Sequence, residues 1–322
     1  MFEEALVKRL HVLPPKIKSG LFHHRATGEY QGLPLHLRVE DDGSGVLIIN
    51  ASRMLFLNRT ATEHVHLFLD GKNEEEAAKA LQKKFKVDKE TAMRDHKDIL
   101  FIINTFAKTN DVDPVSYLGV EKIEPFEKEL SAPYVMDLAV TYRCDINCNV
   151  RTSRTMSEMS TETWFKVIDA LYTLGIPHII FTGGEPTLRD DLGKLISYTQ
   201  QTGLVSGLET NGRKLRDNTY LNHLLEAGLD HIQIAVESHD EEIHEKITGV
   251  NGSWQETIHG LKNTIATPVY TISNTTINQY NADDILETID FLHDLGLTQF
   301  ACNNMLYSDE ITNVPKELPL DE

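Results

Sequence analysis

Six strand-like runs recur along the last two thirds of the chain, YVMDLAVTY, HIIFT, LVSGLET, HIQIAVES, PVYTISNTT and LTQFACN, and helix-like runs separate them. Strands that alternate with helices have few ways to fold, because each connection crosses over and lays the next strand parallel to the last. The helix after the first strand shows the pattern: Trp164, Val167, Ile168 and Leu171 fall at i, i+3, i+4 and i+7, and Gly175 closes it. Helices of this kind cover one face of a parallel sheet or barrel. The expectation is an α/β domain of six strand–helix units over residues 134–305.

A different pattern precedes it. LHLRVE, GVLIIN and MLFLN read as three short strands, the first two joined by the turn residues DDGSG. Three helices follow. The first runs to Leu69, with Thr60 as the expected N-cap and Gly71 as the stop; EEEAAKALQKKF is the second. The third, KETAMRDHKDILFIINTFAKT, puts Ile99, Ile102, Ile103 and Phe106 on one face. Residues 1–109 are therefore expected to form a small α+β domain. An acidic segment punctuated by Pro114, Pro125 and Pro133 reads as a linker over 110–133, and residues 306–322 as an acidic tail.

Charge narrows the partners. The chain has 31 Lys and Arg against 49 Asp and Glu, a formal net charge of −18. Such a surface repels a phosphate backbone, so no nucleic-acid partner is expected and a cationic or neutral one fits better. No run approaches the ~20 apolar residues of a membrane helix, and MFEEALVKRL lacks the features of a signal peptide. A soluble, cytoplasmic protein with no membrane partner is expected. The three cysteines, Cys144, Cys148 and Cys302, are odd in number with two close together, which suits a metal role in a reducing compartment better than a disulfide framework.

In parallel α/β folds ligands bind where the C-terminal ends of the strands converge. Cys144 and Cys148 follow the first of the six strands, Gly183-Gly184-Glu185-Pro186 the second, Thr210-Asn211-Gly212 the third and Glu237-Ser238 the fourth. Each group also has a plain structural reading. Two such cysteines are often small hydrophobes, GGEP is also a tight strand-to-helix turn, Thr-Asn-Gly also a simple turn, and Ser238 a cap for the helix that begins HDEEIHEKI.

In their serial order, TYRCDINC, FTGGEPTLRDDL, LETNG and IQIAVES with HEKITGVNGSWQETIHGLKN resemble the radical S-adenosylmethionine (radical SAM) superfamily over Tyr134 to Met305. The branch they are most similar to modifies ribosomally made peptides, as the pyrroloquinoline quinone maturation enzymes do. LNRTATEHVHLFLDGKNEEEAAKALQKKFKVD resembles the PqqD-like peptide-recognition element, a small winged-helix-like α+β domain. The resemblance implies a partial (β/α)6 barrel, a [4Fe-4S] cluster held by C-x3-C-x2-C, and S-adenosylmethionine chelated to its open iron. One electron then yields a 5′-deoxyadenosyl radical, with the cofactors carrying the chemistry. The implied partners are a peptide substrate with its leader and an electron donor such as flavodoxin or ferredoxin. Carried over by position, Cys144 and Cys148 become cluster ligands; Gly183, Gly184 and Glu185 hold the methionyl amino group; Asn211 and Ser238 lie near the ribose.

The chain departs from this pattern in one loop. Position 151, where the third cysteine belongs, is Arg151, whose guanidinium has no lone pair to donate to iron. Val150 replaces a residue that is commonly aromatic in the superfamily. The chain is thus an active enzyme's sequence altered at one codon, a degenerate homologue that kept the fold, or a site with two cysteines. The first function weighed is radical-based peptide modification. The second is a peptide-binding or scaffold barrel without chemistry. Structural zinc ranks last, because Cys144 and Cys148 lack a second Cys/His pair at suitable spacing and His23-His24 reads as loop.

Overall fold

The computed structural model describes residues 17–25, 34–108, 131–147 and 157–304. They fall into two compact units that divide between Ala132 and Pro133.

The first unit opens with an antiparallel meander, β1 (Gly20–Arg25), β2 (Pro34–Val39), β3 (Gly45–Ile49) and β4 (Arg53–Leu57), paired in that order. Alternation decides which side faces the core. Leu35, Leu37 and Val39 of β2 join Leu47 and Ile49 of β3 in a buried cluster. Helices α1 (Arg59–Leu69) and α3 (Lys89–Lys108) complete it with Val65, Leu69, Ile103 and Phe106, and Ile99 and Ile102 pack at its margin. Helix α2 (Glu74–Lys84) starts with a capping box in which Asn73 and Glu76 satisfy each other's backbone N–H groups.

Two local expectations are corrected here. The N-cap of α1 is Asn58, whose side chain accepts from the Ala61 N–H, and Thr60 lies inside the helix. Asn is preferred over Thr at an N-cap, and at position 58 its side chain reaches the Ala61 N–H. His23 and His24 are in β1 rather than in a loop, in register with His36 and Leu35.

The second unit is a six-stranded, all-parallel sheet in the order β10-β9-β8-β7-β6-β5. Its strands are β5 (Val135–Thr141), β6 (His178–Gly183), β7 (Val205–Thr210), β8 (His231–Ala235), β9 (Tyr270–Ile277) and β10 (Phe300–Asn304). Helices α4 (Thr161–Thr173), α5 (Leu192–Thr202), α6 (Asn218–Ala227), α7 (Glu241–Thr248), α8 (Ser253–Ile265) and α9 (Ile285–Asp294) fill the connections. Strand order follows chain order without a reversal, so right-handed crossovers put the helices on one face. Leu138, Phe181, Leu208 and Ile232 align across that face and are buried. This is the expected α/β class, with a parallel sheet of six strands.

Trp164, Ile168 and Leu171 are the buried residues of α4, and Ser160 caps it. No described helix is long and apolar enough to cross a membrane. The expected linker beyond residue 108 and the acidic tail lie almost wholly outside the described residues.

Each unit holds a buried histidine pair: His64 Nδ1 lies 3.2 Å from His96 Nδ1, and His178 Nε2 lies 3.3 Å from His231 Nδ1. Burial pushes His64 and His231 down to about 4, His64 with help from the facing His96. In the unfolded chain these rings take up protons near pH 6.5, but in the fold only near 4. The contribution of these rings to stability is therefore full at pH 7 and falls as pH drops from about 6.5 toward 4, by roughly 1–3 kcal/mol per ring. Urea unfolding of the chain and of His64→Asn at pH 7 and 5.5 isolates this contribution: the unaltered chain is expected to lose more stability on acidification than the variant, and an equal change in both would contradict it.

Candidate functional site

The C-terminal ends of β5, β6 and β7 are tied together by backbone. β6 ends at Gly183; the Gly184 N–H donates to Thr141 O at 2.8 Å and the Glu185 N–H to Arg143 O at 2.7 Å. The parallel ladder thus continues past β5 into the loop that carries Cys144. A Cβ at Gly183 would overlap the carbonyl oxygen of Thr141, and one at Gly184 that of Arg143. The two glycines are required by this close approach of chain to chain, before any ligand is considered.

Glu185 is 1% exposed. Its Oε1 accepts from Thr187 N at 3.0 Å, Thr187 Oγ1 at 2.6 Å and Thr210 Oγ1 at 2.8 Å, and its Oε2 from Asn211 N at 2.8 Å. Burial raises its carboxyl above the usual range, and these four donors pull it part of the way back. The carboxylate joins the turn after β6 to the turn after β7, where Gly212 takes a positive φ of 76°.

The loop after β5 is held at three points. Besides Arg143, Asp145 accepts from Asn211 Nδ2 at 2.7 Å and pairs with Arg213 at 2.9 Å, and the Asn147 N–H donates to Thr248 O at 2.7 Å. Arg213 also pairs with Glu256 of α8 at 2.6 Å. Cys144 lies half-buried inside this frame and is disulfide-bonded, where the sequence reading expected a free thiolate for a metal. Cys148, Val150 and Arg151 lie outside the described residues.

Glu237 and Ser238 fall just beyond β8. Ser238 is buried and its Oγ accepts from the Asp240 N–H, but the cap of α7 is Asp240, whose side chain accepts from Ile243 N. Asp240 stands three residues before the N–H that needs an acceptor, which Ser238 does not. Glu237 N–H donates to His244 Nδ1 at 3.3 Å, and Asn281 Nδ2 to Glu237 O at 2.8 Å. Burial pushes the Glu237 carboxyl up to about 7, and its Oε2 is buried without a hydrogen-bond partner.

The rim therefore gathers Cys144, Gly183, Gly184, Glu185 and Asn211, with Ser238 at the next strand along. Sequence reasoning did not single out Asp145, Thr187, Arg213 or Glu256, which fix the others. Cys302 is exposed on β10, in register with Thr275. Among the described residues no three His, Cys, Asp or Glu side chains are grouped to hold a metal ion.

Residues 140–292 match the Radical SAM superfamily model. Fe-coproporphyrin III synthase of Methanosarcina barkeri (strain Fusaro / DSM 804) is 29% identical over 189 residues, covering 57% of this chain and 47% of that protein. PqqA peptide cyclase of Bradyrhizobium diazoefficiens is 26% identical over 193 residues, covering 58% and 50%. The crystal structure of Streptococcus suis SuiB matches with a TM-score of 0.58 at 15% identity, over 88% of this chain and 64% of that one, a likeness of fold. The chain spans about half the length of these curated relatives.

If Glu185 organises this rim, Glu185→Ala is expected to lower the unfolding free energy by about 3 kcal/mol, since it strands buried N–H donors on two turns. Urea unfolding followed by circular dichroism reads this directly, and a change under about 0.5 kcal/mol would remove Glu185 from that role.

Proposed function

Given that the chain carries a radical SAM superfamily domain over residues 140–292, we propose that it belongs to the peptide-modifying side of that superfamily: the barrel rim takes S-adenosylmethionine and a peptide. The observation that carries this reading is the convergence of the Cys144 loop, the GGEP turn and the Thr-Asn-Gly turn through Glu185 and Asn211. The name and similarity of the PqqA peptide cyclase support the peptide.

Superfamily membership implies S-adenosylmethionine and a [4Fe-4S] cluster, and the residues present fit the two differently. The rim suits a polar ligand with hydrogen-bond donors, because Glu237 offers a buried oxygen with no partner. Gly183, Gly184 and Glu185 are assigned to the methionyl end and Asn211 and Ser238 to the ribose. When bound, S-adenosylmethionine supplies a sulfonium bond for one-electron cleavage. The cluster does not fit the chain as it stands. Cys144, disulfide-bonded in the structure, and Cys148 would give two thiolates only once reduced, and Arg151 stands where the third belongs. No radical-forming step is assigned to this sequence.

Arg151 favours a second reading beside the enzyme: a homologue that kept its binding rim and lost its cluster, acting as a peptide-binding or scaffold protein. In both readings residues 1–109 form a PqqD-like domain that meets the leader, 110–133 a linker, 134–305 the barrel and 306–322 a tail. The leader adds a strand at an edge of the β1–β4 sheet. In the enzyme reading a flavodoxin or ferredoxin donates the electron.

Anaerobic reconstitution with iron and sulfide separates the two. The Arg151→Cys variant is expected to hold ~4 iron per chain, with an electron paramagnetic resonance signal that shifts on adding S-adenosylmethionine, while the unaltered chain does not. A full cluster in the unaltered chain would show that two thiolates suffice there. No cluster in either would leave the binding reading alone.

A further inference from the structure

The six strands of the second unit contain two carboxylates, Asp137 and Glu209, and no lysine or arginine. Register puts both on one face. Asp137 aligns with Ile180, Gly207 and His231, and Glu209 is two residues beyond Gly207. This is the face away from the buried row of Leu138, Phe181, Leu208 and Ile232, and along it Ile180, Thr182, Glu209, Gln233, Ile272 and Asn274 are all partly accessible. Toward the N-terminal ends of the strands it is closed by the buried His178–His231 pair. The His231 ring occupies the space over Gly207, where a Cβ would overlap it.

One layer above that floor, Glu209 is held from both sides. Thr182 Oγ1 of β6 donates to its Oε2 at 2.8 Å, and Gln233 Nε2 of β8 donates to its Oε1. Each oxygen takes one neutral donor and keeps further acceptor capacity. Among the described residues no ion pair reaches this carboxylate. A half-buried carboxylate without a counter-ion costs free energy that two neutral hydrogen bonds offset only in part, and a cation arriving with a ligand removes the rest. The net charge of −18 draws cations toward the protein.

We infer that Glu209 receives the lysine or arginine side chain of a peptide bound against this face, and that the Thr182–Glu209–Gln233 row sets a preference for a cationic residue there. The inference rests on the peptide reading and adds the charge of the substrate residue to it. Thr182 and Gln233 act as positioning residues, fixing the carboxylate where an ammonium or guanidinium group meets both oxygens.

The test uses the full chain and Glu209→Gln, each titrated with fluorescein-labelled Gly-Gly-Lys-Gly-Gly and its norleucine counterpart at low salt, with S-adenosylmethionine binding followed separately by calorimetry. The unaltered chain is expected to prefer the lysine peptide by about tenfold, as for a hydrogen bond to a charged group, and Glu209→Gln to lose that preference while binding the norleucine peptide unchanged. Thr182→Val keeps the charge and removes one donor, so a partial loss of about threefold is expected; it also serves if Glu209→Gln fails to fold. Equal binding of both peptides, or a lysine preference that survives Glu209→Gln, overturns the inference and leaves the peptide reading standing. Binding of neither peptide overturns both. Loss of S-adenosylmethionine binding with the lysine preference intact assigns Glu209 to the cofactor and overturns the inference as well.

Discussion

The rim of the second unit depends on one buried carboxylate. Glu185 sits just past the end of β6, buried away from solvent, and four donors from two neighbouring turns meet its oxygens. A carboxylate in that position is costly unless fully met, so its partners are held as firmly as it is. Through the Asn211 backbone it fixes the turn after β7. Through the Asn211 side chain and Asp145 it reaches the loop after β5. Backbone bonds from Gly184 and Glu185 bind that loop from the other side.

A rim built this way owes its shape to the chain. The loop bearing Cys144 is anchored at Arg143, Asp145 and Asn147 by hydrogen bonds and an ion pair within the chain. Binding and catalysis are separable in such a design, because the cofactors carry the reaction and the protein orients it.

Much of this was legible in the sequence, and the reason is periodicity. The six runs from YVMDLAVTY to LTQFACN each contain a strand of the sheet, because alternating burial against a helix layer leaves a strong signature in residue type. β1 was missed because GLFHHR lies at a sheet edge and its tandem histidines break the apolar pattern. The rim was located because Gly, Asn and Cys stand out at strand ends. The partners of these residues were not, since hydrogen bonds such as Asn211–Asp145 span 66 positions and leave no local trace. Glu209 had a signal that went unread: a carboxylate inside a strand, in a sheet with no lysine or arginine, is unusual composition for a half-buried face.

On this geometry the rim is formed by its own hydrogen bonds before any cofactor arrives. Amide hydrogen exchange on the iron-free chain tests it most directly. The amides of Gly184, Glu185, Asn211 and Asn147 are expected to exchange as slowly as those in the middle of β7. Exchange of these four at unprotected rates, slowed only once S-adenosylmethionine or iron is added, would contradict it.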